Sequence, residues 1–144
     1  DLVKNNELQE KYGVKYVDDV NALFEAADFI SLHLPATDET RRMINKQSIS
    51  KMKKSAYIIN TARGDLIDED ALYDALVNGD IAGAGLDTFN VEPFQDERFF
   101  KLNNVMLAPH TGAFTEDAVV KTLSMAAEDV VRVLAGNQPL YSVM

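Results

Sequence analysis

The sequence predicts an α/β fold built on a parallel sheet, and three observations carry that prediction. Short apolar runs alternate with stretches of helical periodicity, the pattern of strands joined by right-handed crossovers. The run Tyr57-Ile58-Ile59-Asn60 lacks polar alternation, so it reads as a strand buried on both faces, as in a parallel sheet. Three of the apolar runs then end in turns that carry a reactive side chain: Arg63, Asp87 and His110. Open α/β sheets bind ligands at the carboxyl ends of their strands, so an arginine, an acid and a histidine are expected to converge on one crevice.

Taken in order, Asn5 and Asn6 cap a short helix over residues 7–12, which Gly13 stops. Residues 14–17 read as a short strand. Asp19 caps a helix whose Leu23, Phe24 and Ala27 form one apolar face. Residues 29–34 form the next strand, closed by Pro35. A broken helical region from Thr37 or Thr40 to about Met52 turns Met43, Ile44, Ile49 and Met52 inward. The strand at 56–60 follows. Asp68 then caps a helix with Leu72, Ala75 and Leu76 on one side and Gly79 as its stop. A strand at 83–87, a loop through Phe94 to Asn104 and a strand at 105–107 come next. Thr115 caps the longest helix, in which Val119, Leu123, Ala126, Val130 and Leu134 keep helical spacing until Gly136. No repeat or linker interrupts the chain, so residues 1–144 are expected to form a single domain, and 137–144 a tail without a core of its own.

Composition narrows the function. With 144 residues, 47% hydrophobic and 26% charged, the chain resembles a globular protein able to bury roughly 70% of its unfolded surface. A net charge of −9 repels backbone phosphates and argues against a nucleic-acid partner. The absence of cysteine excludes a disulfide framework, a thiol nucleophile and a thiolate metal site, and fits a reducing cytoplasm. No signal peptide is expected from the opening residues, and no apolar run in the 144 residues approaches the ~20 of a spanning helix. The chain begins with Asp1, as a piece of something longer would.

Arg63 carries the clearest chemistry. A planar guanidinium makes two parallel hydrogen bonds to a carboxylate and so orients a small acid. Spacing alone leaves open an arginine that caps the sheet edge or pairs with Asp65. Gly64 beside it favours close approach of backbone to a ligand. His110 follows Pro109, which fixes its own φ, and an imidazole passes protons near neutral pH. A nearby carboxylate such as Glu92 would raise its pKa and fix its tautomer. Without the fold, the pair reads equally as a surface-loop histidine and a turn glutamate before Pro93. His33 reads as a hydrogen-bonded structural histidine, and Asp87 as a ligand contact or a turn start. Asp18-Asp19 reads as a helix cap rather than a metal site. Met43, Met52 and Met125 read as core. There is no GxGxxG: Gly83-Ala84-Gly85 lies inside a strand, without the helix start that phosphate binding uses. No P-loop, GxSxG or metal-ligand cluster is present either.

Four blocks in this order resemble the D-isomer-specific 2-hydroxyacid dehydrogenases, which include 3-phosphoglycerate and D-lactate dehydrogenases. They are Ala27-Asp28-Phe29-Ile30-Ser31-Leu32-His33-Leu34-Pro35, Ile59-Asn60-Thr61-Ala62-Arg63-Gly64, Gly85-Leu86-Asp87-Thr88-Phe89 with Val91-Glu92-Pro93, and Pro109-His110-Thr111-Gly112-Ala113. The resemblance implies a Rossmann-like, doubly wound parallel sheet, incomplete at its amino end. It implies a partial NAD-binding domain without the glycine-rich loop, with 137–144 beginning the return to an absent substrate domain.

The resemblance also implies roles. Arg63 would hold the substrate carboxylate and carbonyl oxygen, His110 would be the general acid/base, and Glu92 would orient and charge it. The related formate dehydrogenases carry glutamine at that acidic position, having no hydroxyl proton to move. Asp87 would meet the nicotinamide carboxamide, Thr61 and Gly112 would line the nicotinamide pocket with Ala62, and His33 and Pro35 would sit near the adenosine half. Asp1 falls where the family's second strand ends in an acid that bonds the adenosine ribose, favouring NAD over NADP. As a chain's first residue it reads equally as a cut end.

The expected function is therefore NAD-dependent hydride transfer between a D-2-hydroxy acid and its 2-oxo acid, in a cytoplasmic homodimer, with the 144 residues alone inactive. The alternatives are a non-catalytic NAD(H)-sensing regulator on the same fold, or a phosphoacceptor receiver domain. The regulator reading is disfavoured because arginine, glutamate and histidine are all retained. A receiver domain would need an aspartate ending the third strand and a lysine ending the fifth, where Arg63 and His110 stand instead.

Overall fold

Four short strands, β1 (Phe29–Leu32), β2 (Tyr57–Asn60), β3 (Gly83–Leu86) and β4 (Val105–Leu107), pair in chain order as one parallel sheet. The computed structural model describes residues 4–142. By its contacts the chain divides into two compact units, residues 1–109 and residues 110–144. The parallel α/β class is the one expected.

The first unit holds the sheet and four helices, α1 (Asn6–Tyr12), α2 (Val20–Ala26), α3 (Lys46–Ile49) and α4 (Glu69–Asn78). Their ends follow the sequence signals. The side chains of Asn5, Asp19, Asn45 and Asp68 accept backbone N–H groups at the four starts, relieving donors that have no partner inside the helix. Glu69 and Asp70 add negative charge to the first turn of α4, where the helix dipole favours it. Gly13 and Gly79 stop α1 and α4 in the left-handed region, at φ 66° and 69°.

Register puts Ile30, Ile58, Ala84 and Val105 on one rung, and Leu32, Asn60, Leu86 and Leu107 on another, all facing one side. Phe24 of α2, Ile49 of α3 and Leu72, Ala75 and Leu76 of α4 join that side in a single buried cluster. Each buried leucine, isoleucine or phenylalanine among them contributes about 1.5–3 kcal/mol by leaving water. The other face is barer: Phe29 and Tyr57 stack at 5.5 Å between ring centroids, Tyr57 is 44% exposed and Met106 76%. Burial of β2 on both faces, as expected from its apolar run, therefore holds for one face only. The helices that bury side chains in this unit all belong to the opposite cluster.

Two further expectations are corrected. Residues 14–17 are not a strand: Val14 and Val17 are exposed, and the segment has no ladder partner among the described residues. A β-propensity run without a neighbouring strand leaves its backbone groups to water and folds as coil. The segment is held by side chains instead, with Tyr16 Oη accepting from Asn5 N at 2.8 Å and Lys4 pairing with Asp18 at 2.7 Å. That lysine lowers the Asp18 pKa, by hydrogen bond and then by charge. Of the three methionines read as core, only Met52 is buried. Met43 packs partly against the cluster, and Met125 is half-buried.

In the second unit, α5 (Glu116–Leu134) is capped by Thr115, whose Oγ1 accepts from Ala118 N at 3.2 Å. No residue of α5 is buried, and Val119, Leu123, Val130 and Leu134 are exposed along it. The chain turns at Gly136, at φ 78°, and docks back on the helix. The amides of Leu140 and Tyr141 donate to the two carboxylate oxygens of Asp129 at 2.8 and 2.9 Å. No helix among the described residues is long and apolar enough to cross a membrane.

Two positions in the first unit generate stability predictions. A β-carbon at Gly64 would collide with the carbonyl group of Phe89 and the amide nitrogen of Asn90. Backbone cannot yield as a flexible side chain does, so Gly64→Ala is expected to cost about 3 kcal/mol or more in chemical denaturation. Thr88 is 3% exposed, and its hydroxyl has no hydrogen-bond partner among the described residues. Thr88→Val removes that buried hydroxyl at nearly constant shape. It should leave the melting temperature unchanged or raise it, by up to about 1 kcal/mol in stability; a clear loss would reveal a partner for the hydroxyl.

Candidate active site

The carboxyl ends of β1 and β2 open into a cleft of about 640 Å³. One wall is residues 33–36, which leave β1; the other is Thr61, Ala62, Arg63 and Asp65, which leave β2. Parallel pairing of Leu32 with Asn60 brings the two strand ends side by side and puts both segments on the same edge. Five of the expected site residues thus share one cleft: His33, Pro35, Thr61, Ala62 and Arg63.

Arg63 sits in an extended residue just before a 3₁₀ turn, Gly64–Leu66. Its side chain is exposed, and among the described residues its hydrogen bond is Nη1 donating to the Ala62 carbonyl oxygen at 2.6 Å. The alternative pairing with Asp65 is not made: Asp65 pairs with Arg41, at 2.8 Å. The negative charge closest in sequence is thereby neutralised by another cation, and the remaining guanidinium donors face solvent-accessible space. Gly64 is required for a different reason from the one its neighbour implied. Its missing side chain admits the backbone of Phe89 and Asn90, not a ligand.

His33 is hydrogen-bonded, as expected, with Nε2 2.8 Å from Ser31 Oγ. Alternation along β1 puts the two side chains on one face, and His33 also lines the cleft. Ser31, Leu34 and Ala36 were not singled out from the sequence. Period-2 spacing from His33 and adjacency to Pro35 are the signals that point to them.

Asp87 follows β3 and is buried, with its N–H donating to the Asn60 carbonyl at 2.9 Å. Glu92 lies in the loop beyond, where Oε1 accepts from Phe89 N at 3.0 Å. That loop is anchored on α4. Asn90 N donates to Glu69 Oε1 at 2.7 Å, and Arg98 bridges Asp70 and Asp96 at 2.6 Å each while covering the Tyr73 ring. The Arg98 hydrogen bond holds the Asp96 carboxyl below its usual range, and the two carboxylates raise Arg98 in turn. His110 and Gly112 open the second unit, and His110 takes a left-handed backbone at φ 54°. Asp1 lies outside the described residues.

The cleft suits part of a dinucleotide. Leu34, Pro35, Ala36 and Ala62 offer apolar surface for rings, while Thr61, His33 and Arg63 offer hydrogen-bonding groups for sugar hydroxyls or charged groups. The 144 residues contain no glycine-rich loop to cradle a pyrophosphate.

Comparison with known proteins identifies the family. The family profile described as D-isomer specific 2-hydroxyacid dehydrogenase, NAD binding domain, matches residues 1–112. The chain is 48% identical over 131 residues to the D-3-phosphoglycerate dehydrogenase of Methanocaldococcus jannaschii, covering 91% of this chain and 25% of that protein. It is 44% identical over 133 residues to the glyoxylate reductase of Thermococcus litoralis, covering 92% of this chain and 40% of that one. The crystal structure of D-lactate dehydrogenase with NAD+ from Lactobacillus jensenii superposes with a TM-score of 0.89 at 32% identity, over 100% of this chain and 47% of that chain. The chain spans less than half the length of each of these relatives. With a profile match over most of its length and relatives of this similarity, the chain belongs to the D-isomer specific 2-hydroxyacid dehydrogenase family, as an NAD binding domain.

Proposed function

We propose that this chain is the coenzyme-binding part of an NAD-dependent oxidoreductase that interconverts a D-2-hydroxy acid and its 2-oxo acid. The family supports the reaction class. The observation that carries the substrate side is Arg63, exposed at the cleft between two strand ends with its neighbouring aspartate already paired to Arg41. A guanidinium so disposed suits the carboxylate of a small acid, which it would hold through two parallel hydrogen bonds.

NAD, when bound, supplies the hydride chemistry. Thr61, Ala62, Asp87 and Gly112 are proposed for its nicotinamide side, His33 and Pro35 for its adenosine half, and Asp1 for the ribose. His110 is proposed to give a proton to the carbonyl oxygen in reduction and to remove one from the hydroxyl in oxidation. Its left-handed φ of 54° supports the assignment, because a non-glycine residue pays about 1–3 kcal/mol for such a backbone. Glu92 would favour the charged imidazolium and fix its tautomer. A small-molecule substrate and a homodimer, which rest on the resemblance, and a cytoplasmic setting, which the absence of cysteine fits, complete the reading.

The test uses the dehydrogenase that carries this chain. Arg63→Ala should raise the KM for 2-oxo acid roughly 100-fold, the loss of two charge-assisted hydrogen bonds. His110→Asn should instead lower kcat by ~10²–10⁴. Near-parental kinetics in both would remove the mechanism. The 144 residues by themselves, having no phosphate loop, should bind NADH weakly and turn over nothing. Fluorescence titration of NADH checks this, and micromolar binding would contradict it.

A further inference from the structure

We propose that Asn60 is the positioning residue that aims Arg63, so that its side chain governs affinity for the substrate carboxylate. The inference rests on reading Arg63 as the ligand of that carboxylate. Asn60 is the last residue of β2 and has 0% exposure. An amide buried this completely costs stability unless its donor and acceptor are both bonded. Both are, and every bond goes to a segment of the site. Oδ1 accepts from Ala62 N at 3.1 Å, Nδ2 donates to the Arg63 carbonyl oxygen at 2.8 Å, and the main-chain oxygen accepts from Asp87 N at 2.9 Å.

The first two bonds close the turn from inside, in the manner of an asparagine that mimics a backbone turn. They fix the peptide planes on either side of residues 62–63, and with them the direction in which the arginine leaves the chain. The third ties the same residue to the start of the Asp87 loop, so one side chain and one carbonyl set the arginine and the aspartate relative to each other. The neighbours in register argue that packing alone does not call for an amide. Asn60 pairs with Leu32 on one side and Leu86 on the other, both buried leucines. On that rung only β2 carries a polar side chain, and what it holds is the Arg63 turn.

Two variants test this in the dehydrogenase that carries the chain. Asn60→Asp keeps the acceptor for Ala62 N–H but sets a carboxylate oxygen against the Arg63 carbonyl. Asn60→Ser is small and neutral, accepts from Ala62 more weakly and does not reach Arg63. Thermal unfolding confirms that each is folded, and the serine variant serves if the aspartate one is not. A misplaced guanidinium should raise the KM for 2-oxo acid roughly 10- to 100-fold, while the KM for NADH, reached only through Ala62, changes by less than about 3-fold. Neither change should add to Arg63→Ala in a double variant, since the arginine it acts through is gone. Parental 2-oxo acid KM in a folded variant would overturn the proposal, as would equal losses for both substrates or a further loss on top of Arg63→Ala. An inert Arg63→Ala would instead locate the error in the reading of Arg63 itself.

Discussion

Backbone lying directly on backbone constrains the whole cleft edge of the sheet. Gly64 sits where any β-carbon would strike the Phe89 carbonyl, so the turn after β2 and the loop after β3 are pressed together with no side chain between them. Glycine's entropic cost is the condition of that approach. The contact decides more than packing. It brings the turn bearing Arg63 and the loop bearing Asp87 and Glu92 into one body, and places the Arg63 backbone through hydrogen bonds and sterics that involve no charge. The guanidinium, apart from its bond to the Ala62 carbonyl oxygen, is thereby left exposed.

The loop beyond β3 needs its own support, because it runs from Asp87 to Asn104 with only one short 3₁₀ turn, Phe99–Lys101. Phe89 and Phe94 stack at 4.0 Å, and Phe94 meets Phe99 edge-on at 5.5 Å, with Phe99 fully buried. Asp70, Asp96 and the Tyr73 ring surround Arg98, a half-exposed network whose worth is modest at any single pair. Aromatic burial supplies the stability here, and the ion pairs supply direction. Glu92 emerges from this anchored loop with one carboxylate oxygen already bonded to Phe89 N, and so enters its proposed role from a fixed position.

Much of this was legible in the residues. Asp19, Asp68 and Thr115 cap the helices they precede, because a short polar side chain ahead of an apolar-periodic stretch has few other uses. The strand at 105–107 and the stops at Gly13 and Gly79 also match their signals. The segment at 14–17 failed because strand propensity measures fit to a neighbour, and no neighbouring strand is available to it among the described residues. Arg63 was readable as chemistry but not as geometry: the choice of Arg41 as the partner of Asp65 depends on a turn that brings residues 41–44 beside 65–68, where Ile44 bridges Ile67. Asn60 escaped notice for a similar reason. An asparagine at the end of an apolar run looks like the strand's stop, and its hydrogen bonds emerge only once the turn is built.

The uncovered face of the sheet has a colloidal consequence. Phe29, Tyr57 and Met106 present apolar surface to water, and near neutrality the net charge of −9 opposes further association through it. Toward the isoelectric point of about 4.6 that repulsion vanishes while the bare face stays. Mild acid therefore favours association of the 144-residue chain through the side of the sheet that the helices of the first unit leave open.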